Sequence, residues 1–419
     1  MSKIETKKLK KVNEKTLIVT VDIGKTTNMG YGRCPDRTEI KPFEFFNNGQ
    51  GFKKFWNRIV EAQKANHLEE IVVGFESTGS YGEPLQHFLM KRAVKLVQVN
   101  PMHTKRLKEV QGNSPNKTDR KDPKVIADII ELGHALTVVI PEGTAAELRR
   151  LTHARERAVR RRTSLFNLIQ DLVFIVFPEF LQVMKNIKTR SAQYLLRHYP
   201  CPEDVIQCGL ETLSSILRRI SRGKLDEERA QALYVAAGHS VGLQEGRKAI
   251  LFEIREILSE IESSDKFIEK AEQEMASLLP EIPYSHSILS LKGIGEVTAA
   301  GLIGEVGDFR KFHTLSEVMK LAGLNLFEIS SGRHKGNRHI SKRGRWLLRK
   351  ILFFAAINTV RKGGVMHTAY QRHLDQGMPK IKALVAIARK LLGIVFALVR
   401  DHNEYIENYS KGATLKLAA

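Results

Sequence analysis

Short β-branched runs that end in acidic residues are concentrated in the first third of this 419-residue sequence. The run Leu17–Ile23 is typical of a buried strand, and it carries a carboxylate, Asp22, near its end. The same criteria predict further strands at 29–34, 40–46, 71–75 and 95–99, and helices at 51–66, 84–93 and 123–132. Residues 100–122 read as a polar loop. Three strands followed by alternating helices and strands predict an α/β layer domain.

Strand patterns fade after Pro141 and helical patterns replace them. The pattern over residues 142–176 predicts one long helix. Residues 178–245 are less regular but also predicted to be helical, and the sequence assigns them no role. Positions 250, 254, 257, 261, 264, 268, 271, 275 and 278 are almost all aliphatic. Their alternating spacing of three and four predicts a coiled coil or long helical hairpin, and thereby a surface for self-association. A compact helical segment follows, from about residue 287 to 402.

These patterns divide the chain into five parts. The predicted divisions are a basic flexible tail (1–16), an α/β domain (17–140), a helical linker with a coiled coil (141–285), a helical C-terminal domain (286–402) and a tail (403–419). The fold class is therefore α/β at the N-terminus and mostly α-helical beyond it.

The charge balance favours polyanionic partners. Lys and Arg total 67 against 46 Asp and Glu, a formal net charge of +21. Each neutralised phosphate releases condensed counterions, so a surplus of this size favours nucleic acid. The three cysteines, without paired spacing, argue against a disulfide framework or a Cys-based zinc site. No signal peptide or membrane-length apolar run is recognisable, so we expect a cytoplasmic protein with no membrane partner.

Four acidic residues form the first candidate site. Asp22 and Glu76 end two predicted strands, while Asp119 and Asp122 lie where a loop enters the helix 123–132. Ligands gather at the carboxyl ends of strands in open α/β sheets, and carboxylate oxygens suit Mg²⁺ or Mn²⁺. Two such ions can stabilise the attacking and leaving oxygens of a phosphoryl displacement. Each acid taken alone is more simply a turn residue, and Asp119 a helix cap.

Basic residues and a glycine turn form the second candidate site. Residues 289–309 have the form of a helix-hairpin-helix, whose Gly293-Ile294-Gly295 turn would expose backbone N–H groups to phosphate. Residues 329–374 contain eleven Lys and Arg and no acid, and the helix around 149–162 carries seven Arg. The acid-free stretch 329–374 favours nucleic-acid contact over a solvated basic face, and the helix, which has a single Glu156, could also bind RNA and DNA backbones through its arginines. The predicted contacts are Arg149, Arg150, Arg160, Arg161, Lys292, Gly293, Gly295, Arg333, Lys335, Arg338, Lys342 and Arg343.

The N-terminal pattern resembles the RNase H-like fold and, within it, the RuvC-type resolvases. The phrases VDIGKTT, GFESTGSYGEPL and NKTDRKDPKVIADI are similar to the Asp-Glu-Asp-Asp domain of the bridge-RNA-guided insertion-sequence transposases. That resemblance implies that Asp22, Glu76, Asp119 and Asp122 bind the metal. One departure is Pro123, where the family usually has Ala, and proline is tolerated at a first helical position.

The C-terminal region resembles the second domain of the same transposases. The matching residues are Ser331-Gly332 and the segment Ile340–Gly344. The resemblance implies that Ser331 is the nucleophile, with Ser330 in its place if the register shifts by one residue. It also implies a structured guide RNA, DNA partners at element ends and target, and a dimer or tetramer.

Two other functions remain open at the level of sequence. A metal-dependent nuclease or junction resolvase would use water as the nucleophile and would form no covalent protein–DNA product. A non-catalytic nucleic-acid-binding regulator would keep its cellular effect after Asp119 is replaced.

Overall fold

The computed structural model describes residues 12–76, 79–111, 122–328, 330–331, 334–336 and 338–407. Asp119 and Arg333 are therefore outside the described residues, as are the side chains of Ser330, Ser331 and Lys335. The chain forms two compact units. The first comprises Met1–Ala145, His286–Ile294 and Glu305–Ala419, and the second comprises Ala146–Ser285 and Gly295–Gly304.

A six-stranded mixed sheet forms the N-terminal part of the first unit. Its strands are β1 (Thr16–Asp22), β2 (Thr27–Arg33), β3 (Glu39–Phe46), β4 (Glu70–Glu76), β5 (Lys95–Val99) and β6 (Leu136–Thr137). The spatial order is β3-β2-β1-β4-β5-β6. The pairs β1–β2, β2–β3 and β5–β6 are antiparallel, whereas β1–β4 and β4–β5 are parallel. The predicted α/β layer with three leading strands is confirmed.

Helices cover both faces of this sheet. They are α1 (Gly49–Ala65), α2 (Glu83–Met90), α3 (Pro101–Gln111) and α4 (Asp122–Glu131). Val19, Val21 and Val73 face a core shared with α1 and α2. Ile18 and Val72, one residue away on the same strands, face a second core that contains the apolar side of α4. Burial on both faces explains why β1 is apolar almost throughout.

Helix α3 corrects the prediction that residues 100–122 form a polar loop. Asn100 accepts a hydrogen bond from the Met102 backbone N–H at 2.9 Å through its side chain. Pro101 occupies the first position of the helix, where its fixed φ is favourable. Because the helix has few apolar residues, its periodicity gives little signal, but the Asn-Pro start was readable.

The C-terminal part of the chain is mostly helical. It contains α12 (Ser285–Leu289), α13 (Glu296–Val306), α14 (Leu315–Ala322), α15 (Trp346–Thr359), α16 (His367–Asp375) and α17 (Lys380–Asp401). Four two-residue strands precede α15: β7 (Leu326–Phe327), β8 (Ser330–Ser331), β9 (His334–Lys335) and β10 (His339–Ile340). Strand β10 pairs with β7 and β9 pairs with β8, both antiparallel. Short 3-10 helices lie at Ser80–Gly82, Leu279–Glu281 and Phe309–Lys311.

The second unit is built on two long helices and several shorter ones. They are α5 (Thr144–Val176), α6 (Pro178–Val183), α7 (Arg190–His198), α8 (Pro202–Cys208), α9 (Leu210–Ser221), α10 (Glu227–Gly238) and α11 (Arg247–Leu278). Their apolar faces share one core, which includes Ile169, Phe180, Leu217 and Ile261. The helical prediction for 178–245 is confirmed, and this segment supplies much of that core.

The aliphatic seam of α11 is covered by its own chain. Ile254, Ile261 and Met275 are completely buried. Arg155 of α5 binds Glu272 at 2.6 Å, and Arg162 of α5 pairs with Asp265, so the two long helices run antiparallel. The long-hairpin form of the prediction fits this arrangement. Since the seam is filled within one chain, it does not supply the self-association surface that the sequence pattern suggested. Within the described residues, no helix combines the length and apolarity needed to cross a membrane.

Candidate active site and nucleic-acid interface

Two of the predicted acids, Asp22 and Glu76, lie side by side at the carboxyl edge of the sheet. Strands β1 and β4 are parallel with Val21 opposite Phe75, so Asp22 and Glu76 occupy the next equivalent positions. Side chains alternate between faces along a strand. Asp22 therefore lies on the face of Ile18 and Thr20, and Glu76 on the face of Val72, which is the face covered by α4. Both carboxylates are partly exposed.

Asp122 begins α4 on the same face of the sheet. The Thr20 hydroxyl donates a buried hydrogen bond to the Pro123 carbonyl at 2.7 Å. Thr20 precedes Asp22 by two residues, so this bond ties the start of α4 to the strand that carries Asp22. Asp122 itself is 7% exposed, and its Oδ1 lies 2.6 Å from Lys108 Nζ of α3.

The donor set fits a hard divalent cation by its chemistry, since carboxylate oxygens are the ligands that Mg²⁺ and Mn²⁺ prefer. Asp22, Glu76 and Asp122 come from β1, β4 and α4, which meet at one edge of the sheet. The described residues nevertheless contain no group of three or more His, Cys, Asp or Glu side chains close enough to hold an ion. Asp122 is engaged by Lys108, and the fourth predicted acid, Asp119, is outside the described range.

Ser331, the predicted nucleophile, lies in β8, which forms a short hairpin with β9. Ser331 pairs with His334, and Ser330 pairs with Lys335. The outer pair of strands brings Phe327 opposite His339. The structure therefore places both candidate serines in β8. Either of them could still be the nucleophile, as in the sequence prediction.

The segment Ile340–Gly344 is fixed against the end of α14. Lys342 N–H donates to the Gly323 carbonyl at 2.9 Å, and Arg345 N–H donates to the Leu321 carbonyl at 2.7 Å. A Cβ on Gly344 would lie 2.4 Å from the Gly323 nitrogen, so only glycine permits this approach. Lys342 has a left-handed φ of 54°. This packing explains why the predicted motif needs its glycine, and it leaves Lys342 and Arg343 exposed.

Arg343 of this segment reaches α3. Its Nη2 lies 3.7 Å from Met102 Sδ. Burial lowers the pKa of the neighbouring His103, and His134, Arg343 and Arg106 lower it further through their positive charge. Helix α3 also carries Lys108, which binds the acid at the start of α4.

The arginines of α5 divide into two groups, which the sequence did not distinguish. Arg155 and Arg162 pair with acids of α11, and Arg160 binds Glu156 one turn away at 2.8 Å. The predicted contacts Arg150 and Arg161 are exposed, and Arg157, which was not predicted, is exposed as well. The three are spaced seven and four residues apart, which places them on one stripe of the helix. Arg149 is half-buried.

The remaining predicted contacts are mostly exposed. Lys292 is 79% exposed with Glu407 at 3.6 Å, and Arg338 is 71% exposed with Glu328 at 2.9 Å. Glu328 lies one residue before the acid-free stretch and partly neutralises it. Gly293 has a left-handed φ of 96°, while Gly295, at the start of α13, has open space around its Cα.

Comparisons with known proteins assign a family to the N-terminal and the C-terminal regions of the chain. A transposase family model of the IS110 type with an Asp-Glu-Asp-Asp domain matches residues 19–178. The model of the transposase IS116/IS110/IS902 family matches residues 285–371. The first match contains all but the first three residues of the sheet, together with its acids, and the second contains the serine hairpin and the Ile340–Gly344 segment.

Relatives extend the similarity between these two regions. An uncharacterized 43.6 kDa protein of insertion element IS110 from Streptomyces coelicolor is 22% identical, over 94% of this chain and 96% of its own length. The transposase for insertion sequence element IS1111A from Coxiella burnetii is 23% identical over 84% of each chain. The pilin gene-inverting protein of Moraxella lacunata is 30% identical over 32% of this chain and 42% of its own length.

Both family matches and the relatives define an insertion-element transposase, an enzyme of DNA recombination. The chain belongs to the IS110 family of transposases. Sequence reasoning missed four residues that organise the sites: Thr20, Lys108, Arg157 and Arg345. Arg157 could have been predicted from its place in the basic run 149–162. The contacts of Thr20, Lys108 and Arg345 depend on the fold and could not.

Proposed function

We propose that this transposase cuts and rejoins DNA at insertion-element ends and target through a serine nucleophile and an acidic divalent-metal site. The observation that carries the proposal is the placement of Asp22 and Glu76 at adjacent strand ends, on the sheet face whose covering helix begins with Asp122. A purely structural role does not require three carboxylates at one edge, because carboxylates placed close together repel one another.

Asp22, Glu76, Asp119 and Asp122 would hold Mg²⁺ or Mn²⁺. When bound, such an ion supplies charge stabilisation to phosphate oxygens during displacement. The family match supports a divalent metal, and carboxylate oxygens are the donors that these ions prefer. As ligands of that ion, Glu76 and Asp22 would help to orient the scissile phosphate.

Ser331 would carry out the covalent step. Its Oγ forms a bond to phosphorus while the bond from phosphorus to the leaving deoxyribose oxygen breaks. The hydroxyl proton passes to a nearby base, and the leaving oxygen takes up a proton. The phosphoserine link conserves the energy of the phosphodiester, so that attack by a new DNA hydroxyl rejoins the strands and restores serine.

Exposed cations provide the surface for the DNA backbone. Lys342, Arg343, Lys292 and Arg338 lie in the C-terminal region, and Arg150, Arg157 and Arg161 lie on α5. The family resemblance adds a guide RNA, whose base pairing would select the DNA sequence, and a dimer or tetramer as the active form. Arg's planar fork suits phosphates of either nucleic acid.

Two finer fold assignments belong to the same proposal. The RNase H/RuvC-like assignment of the N-terminal domain is supported by the three antiparallel leading strands and the parallel β1–β4–β5 arrangement. The helix-hairpin-helix assignment is supported by the turn that contains Gly293 and by α13 beginning directly after Gly295.

Covalent trapping tests the mechanism. The purified full chain is incubated with its flanking-region RNA, Mg²⁺ and labelled element-junction DNA, then resolved on a denaturing gel. We expect a protein–DNA band with wild type that is lost with Ser331→Ala and with Asp119→Ala. Ser330→Ala serves as the matched control and should keep the band.

Other outcomes reassign the mechanism. Cleaved DNA without a covalent band, undiminished in Ser331→Ala, would show a hydrolytic nuclease or resolvase. A band that is lost with Ser330→Ala and kept with Ser331→Ala would move the nucleophile by one residue. Binding without cleavage in every variant, wild type included, would indicate a non-catalytic regulator.

A further inference from the structure

Lys108 is the charged neighbour of Asp122, the most deeply buried of the described acids in the candidate metal site. Its ammonium nitrogen lies 2.6 Å from Asp122 Oδ1, and the two side chains are 35% and 10% exposed. A carboxylate with so little solvent is strongly disfavoured without a counter-charge. Lys108 supplies that charge from α3, a helix that no sequence pattern had linked to the site.

A divalent cation would compete with this ion pair. Metal ions bind carboxylate oxygens directly, and Asp122 Oδ1 is the atom that Lys108 already holds. The described acids do not form a ligand group of three in the arrangement that includes the Lys108–Asp122 pair. The side chain of Lys108 is one-third exposed and has a flexible four-carbon stem, so it can turn into solvent without rearrangement of α3.

We propose that Lys108 is a positioning residue that stands in for the metal: it neutralises Asp122 in the metal-free enzyme and is displaced when the divalent ion binds. This inference rests on the proposed metal site. Displacement leaves a free ammonium on α3, the helix that also carries Arg106 and whose Met102 is contacted by the exposed Arg343. The released charge is then available to the DNA phosphate that enters with the metal, which couples metal loading to substrate binding.

The chain contains a matched control for this pair. Lys124, on α4 itself, binds Glu39 at 2.7 Å, and the two side chains are 41% and 34% exposed. Glu39 lies in β3, away from the carboxyl edge that holds Asp22 and Glu76. Lys124→Met therefore removes an ion pair of similar length from α4, the helix that carries Asp122, without changing Asp22, Glu76 or Asp122.

The test measures Mn²⁺ affinity of the full chain by electron paramagnetic resonance, with thermal unfolding in chelator and in saturating Mn²⁺. Lys108→Met should bind Mn²⁺ about tenfold more tightly than wild type, because the ion no longer displaces a charged hydrogen bond. It should also lose melting temperature in chelator and regain most of it in Mn²⁺. Lys124→Met should keep the wild-type affinity and lose equal stability in both conditions, while Asp22→Asn should bind weakly or not at all.

Each contrary result is distinguishable. Unchanged Mn²⁺ affinity in Lys108→Met, with wild-type binding intact, would make Lys108 a structural partner and leave the metal site standing. Weaker Mn²⁺ binding in Lys108→Met would show that Lys108 supports the loaded site, which also overturns the inference. If wild type binds no Mn²⁺ with or without DNA, the metal site itself fails. Lys108→Gln replaces the Met variant if the latter does not fold.

Discussion

Single side chains determine how the acids of the site are held. Thr20 is fully buried, and its hydroxyl satisfies the carbonyl of Pro123 at the start of α4. Valine has nearly the same shape and no hydroxyl. Thr20 thus connects the strand of Asp22 with the helix of Asp122 through one hydrogen bond.

Thr20→Val should destabilise the protein by about 1–3 kcal/mol, because a buried carbonyl loses its partner. Urea unfolding measures the loss, and Mn²⁺ affinity should fall with it as the start of α4 loosens. Thr163→Val is the control, since the Thr163 hydroxyl donates to Val159 at an exposed site of α5. Equal effects of the two substitutions would contradict a special role for Thr20.

Glu203 in the second unit makes the stability of that unit sensitive to acid. Burial by itself raises the pKa of Glu203, but hydrogen bonds from Arg247 and Gln244 outweigh it and lower the pKa from 4.5 to about 2. Arg247 Nη1 lies 2.7 and 2.8 Å from the two carboxylate oxygens. A lowered folded-state pKa means that this stabilisation is present above pH 4.5 and is lost as the pH falls towards 2.

Glu203→Gln should therefore reduce stability at pH 6 and have almost no effect at pH 2. The Glu203 side chain is half exposed, so the effect at pH 6 should not exceed about 1 kcal/mol. Urea unfolding of wild type and variant at the two pH values tests this. A difference that persists at pH 2 would show that packing, and not charge, is responsible.

At the scale of the helix, α5 separates arginines that pair with α11 from arginines that are exposed. Arg155 and Arg162 join α5 to α11, whereas Arg157 and Arg161 are exposed on another side. The division follows from helical periodicity, since a seven-residue spacing returns a side chain to nearly the same face. Both groups look identical in the sequence.

Replacing Arg157 and Arg161 together by Ala should weaken binding to duplex DNA and reduce the slope of log K against log salt by about 2, because two phosphate contacts are lost. Stability should hardly change. The paired control, Arg155→Ala with Arg162→Ala, should lower the melting temperature and keep the salt slope. Fluorescence anisotropy over a salt series measures the slope. An unchanged slope in the first variant would remove this stripe from the nucleic-acid surface.

At the scale of the molecule, the first unit joins segments that are distant in sequence. Arg345 donates through Nη2 to the Val139 carbonyl at 2.5 Å and through Nη1 to the Glu305 carbonyl. Lys311 binds Glu142 at 2.6 Å. The α/β layer and the segment that follows the serine hairpin are thus parts of one compact unit.

Arg345→Lys should destabilise the first unit by about 1–3 kcal/mol, because a lysine cannot satisfy both carbonyls in the same geometry. Hydrogen exchange should show faster opening at residues 136–139 together with 340–345. Arg338→Lys, at an exposed pair, is the control and should leave exchange unchanged. Independent opening of the two regions in the wild type would contradict their coupling.

The sequence alone determined the elements whose patterns are local. Alternating and continuous apolar runs fixed the five main strands, and the three- and four-residue spacing identified α11. The position of Asp22 and Glu76 at strand ends followed from the same runs, and the family resemblance rested on the phrases around them. These features were predictable because periodicity and strand termination are properties of neighbouring residues.

Only the tertiary structure decided which charges face one another and which surfaces remain open. The spacing of the apolar residues in α11 predicted an interface with a second chain, but these residues are buried against other helices of the same chain. Helix α3 was not predicted because it has little apolar periodicity. The Lys108–Asp122 contact, which depends on α3, was therefore not predicted either. Ion pairing and burial depend on residues brought together by the whole fold, so they cannot be read from local spacing.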